Sequence, residues 1–319
     1  MLTSQIWQKG GFSMWCKQCN IETNASVCPV CGDATVEDLP VEVYWCERCH
    51  TPIINTAVQA DKGSCPVCGG KTKYLAADLR PVFPEERLLV ELLLNKEPNS
   101  LREESVWANN NRYYINGKAI SMPNSIYETA DVDSIIKKLN ECSSNNGYDA
   151  FDRHIETFIL ANRSRLEYLK DEAFQFIKKS SSKFPEENIV VSFSGGKDST
   201  VSADLAVKAL SDPCLVHIYG DTTLEFPSTA EYAERFRASH PNAIFQIAKN
   251  DEQDFYDVCE DIGPPARMMR WCCSMFKTGP ITRVINSMYG SQQILTFYGI
   301  RKAESVSRSK YNRIEDSAE

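Results

Sequence analysis

No stretch of the 319 residues approaches the ~20 consecutive apolar positions that a membrane-spanning helix needs. The opening MLTSQIWQKGGFSMWC likewise lacks the apolar core of a secretory leader. Both lacks make a cytoplasmic protein with no membrane partner the expectation. Positive charge is also short: 35 Lys and Arg stand against 43 Asp and Glu, a net charge of −8. That argues against a globally basic nucleic-acid binder and leaves only a local patch open. A reducing compartment disfavours structural disulfides, so the 13 cysteines need another use.

Eight of them supply one. The C-x-x-C pairs Cys16/Cys19, Cys28/Cys31, Cys46/Cys49 and Cys65/Cys68 fall in the first 80 residues, where WCKQC is echoed by WCERC and CPVCG occurs twice. A tight C-x-x-C turn aims both thiolates at one ion, and four thiolates in tetrahedral array suit Zn²⁺. Eight and fifteen residues separate the paired knuckles, and the longer interval falls in the zinc-site range. Two tandem zinc ribbons over residues 1–80, each with a structural Zn²⁺, are expected. Seven Lys/Arg against eight Asp/Glu in this segment form no basic stripe. The ribbons therefore read first as a structural or protein-docking module and second as an RNA- or DNA-binding one.

Residues 81–148 read as a small α+β region. It holds a short helix in PEERLLVELLLNK, a β unit in SVWANNNRYYINGKAIS and a helix near 131–140. Trp107, Tyr113 and Tyr114 read as its core, and Cys142 and Cys214 as small core residues. Apolar periodicity from Asp149 to about Lys179 predicts one long connecting helix within 149–187.

From residue 188 the pattern changes. A β-branched and aromatic run, Ile189 to Phe193, stops at Ser194-Gly195-Gly196-Lys197-Asp198-Ser199, and a helical pattern follows. This is not a Walker A loop: Val191 stands five residues before Gly196, and Asp198 follows the lysine. It is a tighter nest that suits a diphosphate. Lys197 would neutralise charge, Ser194 and Ser199 would donate hydrogen bonds, and Asp198 would hold Mg²⁺ or cap the helix. Predicted strands at 189–193, 214–219, 243–248 and 293–299 alternate with helices at 198–210, 228–239, 252–260 and 280–289. Such alternation means a parallel sheet with helices on its faces, whose ligands sit beyond the carboxyl ends of the strands. There stand SGGKDS, then Asp221 and Thr222, then Arg301, Glu304 and Arg308. Ser228 and Glu231 are expected to form a capping box. Between strand tips lies RWCCSMFKTGP, with Lys277 as a second phosphate cation. Adjacent Cys272 and Cys273 cannot share one metal as a knuckle does. Each could take a separate iron of a cluster, form a redox pair with another thiol, or be inert packing.

SGGKDS after a strand resembles the PP-loop ATP pyrophosphatases. With GDTTLEFPST, WCCSMFKTGP and YGIRKAESVSR in order, residues 188–313 resemble the phosphoadenosine phosphosulfate (PAPS) reductase superfamily. That superfamily includes sulfonucleotide reductases and the sulfur-transfer proteins of DNA phosphorothioation. The resemblance implies an α/β fold: a Rossmann-like parallel sheet of the adenine-nucleotide α-hydrolase type, here preceded by two zinc ribbons and the small α+β region. It implies that Ser194, Gly195, Gly196, Lys197, Asp198 and Ser199 bind the phosphates of ATP or a sulfonucleotide with Mg²⁺. Asp221 then lies near the nucleotide or its metal, and Lys277, Arg301 and Arg308 face the anion. Thr222, beside Asp221 at its strand tip, joins the candidate nucleotide-binding residues. Iron–sulfur reductases of this type pair Cys-Cys with a later C-x-x-C. No cysteine follows Cys273, so the ligand set for an iron–sulfur cluster is incomplete. The family continues past this last motif, so a PP-loop nucleotide-binding domain over 188–319 is expected to be C-terminally incomplete or completed by a partner. Ribbons fused to a PP-loop are reminiscent of enzymes that thiolate a macromolecule. The first expectation is an ATP-dependent adenylating sulfurtransferase acting on a nucleic acid or small molecule. Lys197, Asp198 and Arg301 would serve the transition state, and Cys272 or Cys273 would carry sulfur. The alternatives are PAPS or APS reduction and a non-catalytic nucleotide-sensing subunit that docks partners through its ribbons.

Overall fold

A computed structural model describes residues 14–16, 21–23, 25–36, 41–56, 63–142 and 147–301, with 308, 311, 313 and 314. The chain divides into two compact units, residues 1–167 and 168–319.

In the first unit, β1 (Met14–Cys16) pairs antiparallel with β2 (Ile21–Thr23). Then β3 (Val41–Cys46) is flanked by β4 (Thr51–Thr56) and β5 (Thr72–Ala76). A second antiparallel sheet runs in chain order through β6 (Arg80–Pro81), β7 (Val106–Asn109), β8 (Arg112–Ile115) and β9 (Lys118–Ser121). The helix α1 (Pro84–Leu93) lies between β6 and β7, and α2 (Asn124–Glu128) and α3 (Val132–Cys142) follow β9. Asn116 and Gly117 both take positive φ between β8 and β9, the backbone that an Asn-Gly hairpin turn requires. Gly117 has a further reason. A Cβ there would stand 2.5 Å from the Trp45 ring. Trp45 of β3, Ala76, Trp107 and Tyr114 form one buried cluster. The second ribbon and the small β sheet thus share a core, as expected for Trp107 and Tyr114.

The expected single helix over 149–179 is two, α4 (Tyr148–Ala161) and α5 (Arg163–Ser181). Asn162 causes the break. Its buried side chain accepts from the Ile54 N–H at 2.6 Å and donates to the Pro52 carbonyl at 3.0 Å and the Phe158 carbonyl at 2.8 Å. Serving strand β4, it gives up continuous helix geometry.

The second unit is built on four parallel strands in the order β12-β11-β10-β13: β10 (Ile189–Phe193), β11 (Val216–Asp221), β12 (Ile244–Lys249) and β13 (Leu295–Phe297). Helices α6 (Lys197–Leu210), α7 (Pro227–Ser239) and α8 (Phe255–Ile262) follow β10, β11 and β12. A last helical stretch comprises α9 (Trp271–Cys273), a π-helical turn (Ser274–Thr278) and α10 (Gly279–Tyr289). Strand side chains alternate between two cores. Ile189, Val191 and Phe193 pack with Ala203, Ala206, Ala233 and Phe236 of α6 and α7. Val190, Val216 and Ile218 pack with Ile281, Val284, Ile285 and Tyr289 of α10. Burial on both faces explains why β10, apolar except for half-buried Ser192, shows no alternation with polar residues. The result is the Rossmann-like parallel sheet expected from the sequence.

Three further local expectations fail, one of them at Cys142, which is only half-buried because α3 buries none of its residues. Ser228 and Glu231 form no capping box: α7 starts on Pro227, after Phe226, which makes no side-chain cap. Proline's fixed φ starts the helix instead. The capping box belongs to Asp254 and Asp257 on α8. Cys214 is exposed, because the Asp212 carboxylate accepts its N–H in a turn and β11 begins only at Val216.

Candidate nucleotide site and thiolate clusters

The carboxyl ends of β10, β11 and β13 leave the sheet at one edge, with Phe193 in register with Tyr219 and Val191 with Phe297. Beyond β10 the chain turns through Gly195 at φ +71. A Cβ there would also stand 3.1 Å from Thr229 Cγ2, so glycine is needed for backbone and for space. Gly196 is the N-cap of α6, and Lys197, Asp198 and Ser199 form its first turn. The first amides of a helix have no intrahelical acceptor. Ser194 and Lys197 are exposed. Ser199 is buried, and its hydroxyl accepts from the Ser194 N–H at 3.1 Å and lies 2.9 Å from the Gly196 carbonyl. Ser199 therefore closes the loop on itself. Asp198 does not cap the helix. Its Oδ2 accepts from Arg301 Nε at 3.0 Å.

At the tip of β11, Asp221 Oδ1 accepts from the Thr223 N–H at 2.9 Å, and its Oδ2 lies 3.7 Å from Lys249 Nζ of β12. Glu225 accepts from both the N–H and the hydroxyl of Thr222. Thr223 holds φ +65, uncommon for a β-branched residue, and its hydroxyl accepts the Phe255 N–H that opens α8. Sequence reasoning missed Thr223, Glu225 and Lys249. Only their nearness to the strand tips in sequence could have flagged them.

Phe255 packs against Trp271 in a tilted pair with ring centroids 5.2 Å apart, and both ring systems meet buried Phe276. This wall holds Cys272 and Cys273, both half-buried, on the helical stretch that packs against β11 and β12. Cys273 Sγ accepts from Arg270 Nη2 at 3.5 Å. A Cβ on Gly279 would fall on the Ser274 carbonyl, and Pro280 has no N–H to donate. Gly-Pro is the signal for the wider π turn, on which exposed Lys277 sits. Arg308 is half-buried, and its carbonyl accepts from the Tyr311 N–H. Glu304 lies outside the described residues.

In the first unit, Cys46, Cys49, Cys65 and Cys68 bring their sulfurs within 4.8 Å of one another, as do Cys16, Cys28 and Cys31. Cys19 lies outside the described residues. The CPVCG copies fold alike. Gly32 and Gly69 take positive φ, each donates to the carbonyl of the first cysteine of its knuckle, and Val27–Ala34 is matched by Ser64–Lys71. Amide donors aim at sulfur: Val30 to Cys28, Cys49 to Cys46, Gly70 to Cys68, each 3.4 Å. A bond from the Cys31 amide leads in drawing Cys28 down to about 6, and the Gly70 amide leads in drawing Cys68 down to about 7. Burial pushes Cys46 and Cys49 up. Thiolates this close repel, and a dication is the charge that would relieve them. Both donor sets could hold zinc. None of the twelve described cysteines is disulfide-bonded.

Residues 188–319 match the family described as phosphoadenosine phosphosulfate reductase domain. Two curated relatives are uncharacterized proteins of Methanocaldococcus jannaschii. One is 26% identical, covering 94% of this chain and 75% of the relative. The other is 33% identical, covering 49% of this chain and 36% of the relative. Among solved structures, an ammonia-dependent NAD synthetase from Campylobacter jejuni with bound nitrate aligns at TM-score 0.33 and 15% identity, over 43% of this chain and 58% of its own. A PAPS reductase from Candida auris with phosphate aligns at 0.31 and 14%, over 44% and 68%.

Proposed function

We propose, from the premise that residues 188–319 form a PAPS reductase domain, that this protein is an ATP-dependent adenylating sulfurtransferase acting on a nucleic acid or small molecule. The observation that carries this reading is the loop itself. Gly195 at φ +71 and the Gly196 N-cap set the first turn of α6 beside exposed Lys197 and the Asp198–Arg301 pair. Those groups match the pyrophosphate that leaves when an acceptor oxygen attacks the α-phosphorus of ATP. Helix-start amides, Lys197 and Arg301 take up the charge that develops on it. Magnesium enters with the nucleotide as part of the substrate. Cys272 or Cys273, loaded as a persulfide by an external sulfur donor, then attacks the adenylated centre. The bond to the acceptor oxygen breaks, and AMP leaves with that oxygen. An external thiol opens the resulting disulfide to release the thiolated acceptor. The two thiolate clusters hold one structural zinc each, and the ribbons dock the partner or nucleic acid that presents the acceptor.

Sulfonucleotide reduction is the second reading, favoured by the family match and the two half-buried thiols. Mass spectrometry of products separates the two. AMP and pyrophosphate from ATP support the first, and sulfite from PAPS or APS supports the second. Binding without any turnover would instead favour a nucleotide-sensing subunit.

A further inference from the structure

We propose that Asp198 is a positioning residue that aims Arg301 at the bound anion, and that it does not serve as a metal ligand of the SGGKDS loop. The inference rests on the nucleotide reading above. Asp198 stands in the first turn of α6, and its Oδ2 accepts from Arg301 Nε at 3.0 Å. Its side chain is 29% exposed, against 54% for that of Arg301, so the carboxylate is the sheltered partner. A bond at Nε restrains the last torsion of the arginine and so the plane of its fork, the feature that lets a guanidinium grip phosphate through two parallel bonds.

The backbone is shaped for this pairing. A Cβ on Gly299 would stand 2.5 Å from the carbonyl carbon and oxygen of Asp198 and 2.7 Å from the Ser199 nitrogen. Only glycine lets the chain leaving β13 pass so close to the first turn of α6. Arg301 follows two residues later and is thereby delivered to Asp198. β13 is also the parallel neighbour of β10, so the loop and the arginine segment leave the sheet side by side.

The two roles for Asp198 predict opposite results when metal is removed. Losing a carboxylate beside an anion site strengthens anion binding, unless that carboxylate orients a cation. The test titrates inorganic pyrophosphate in EDTA, and then ATP with Mg²⁺, into the full chain and into Asp198→Asn, Arg301→Gln and the double variant. Each single variant is expected to lose roughly ten-fold in metal-free pyrophosphate affinity, with the double variant no weaker than Arg301→Gln, as for groups acting as one unit. The gain from Mg²⁺ stays as in the wild type. If Asp198→Asn binds pyrophosphate as tightly as wild type, the positioning role is wrong and the nucleotide reading stands. If the wild type binds no pyrophosphate and no ATP, both fall together. Gly299→Ala should weaken pyrophosphate as much as Arg301→Gln. Should that variant not fold, the near-isosteric Asp198→Asn decides alone.

Discussion

Lys197 opens α6 as an exposed ammonium on the turn that carries Gly195 and Gly196. Lys197→Ala removes one charge-assisted hydrogen bond, worth roughly 1.5–3 kcal/mol, so ATP affinity should fall about ten- to a hundredfold by calorimetric titration. Gly195→Val should do at least as much harm, because it places a β-branched side chain at φ +71 against Thr229. Unchanged affinity in both variants would reduce the loop to an ordinary turn. His217 makes a different argument. It is fully buried, its Nδ1 lies 2.8 Å from the Leu215 carbonyl, and its ring stacks on Phe245. Burial pushes its pKa down. The unfolded chain therefore takes up a proton below about 6.5 that the folded chain refuses, so His217 costs stability only as pH falls through that value. Urea midpoints at about pH 5 and about pH 7.5 should differ less in His217→Phe than in wild type. An equal difference would remove His217 from the acid sensitivity.

At the scale of elements, single residues decide where regular structure stops. Asn162 ends α4 because its amide completes the hydrogen bonding of Pro52 and Ile54 on β4. Asn162→Ala leaves those buried backbone groups unpaired, at about 1–3 kcal/mol each. A denaturant titration should show the first unit losing that much, and a loss below about 0.5 kcal/mol would mean that the groups find other partners. Gly279 and Pro280 set the π turn that carries Lys277. The duplicated CPVCG knuckle shows the converse. Gly32 and Gly69 repeat one backbone geometry because the repeated sequence demands it.

At the scale of the whole molecule, the chain is two compact units. Among the described residues no helix is long and apolar enough to cross a membrane. Metal analysis of intact protein should find two zinc ions per chain, and Cys28→Ser should leave one. Structural zinc supplies roughly 10–16 kcal/mol in small domains, so chelation should unfold the first ribbon. Fewer than about one zinc per chain in undegraded wild type would rule out the paired ribbons.

The sequence by itself determined the thiolate knuckles, the strand–loop–helix at SGGKDS and the parallel sheet. Each is written in local spacing: C-x-x-C followed by glycine, apolar runs of strand length, a glycine turn before a helical period. Cys272 and Cys273 could be located but not given surroundings. The Phe255–Trp271–Phe276 wall and the Arg270 contact depend on which helix packs on which strand. The same holds for Asn162, whose partners on β4 lie more than 100 positions away, and for Asp198, which meets Arg301 from a distance of 103. Only tertiary structure decided these, because a side chain's partner across the fold leaves no periodic trace in the chain that carries it.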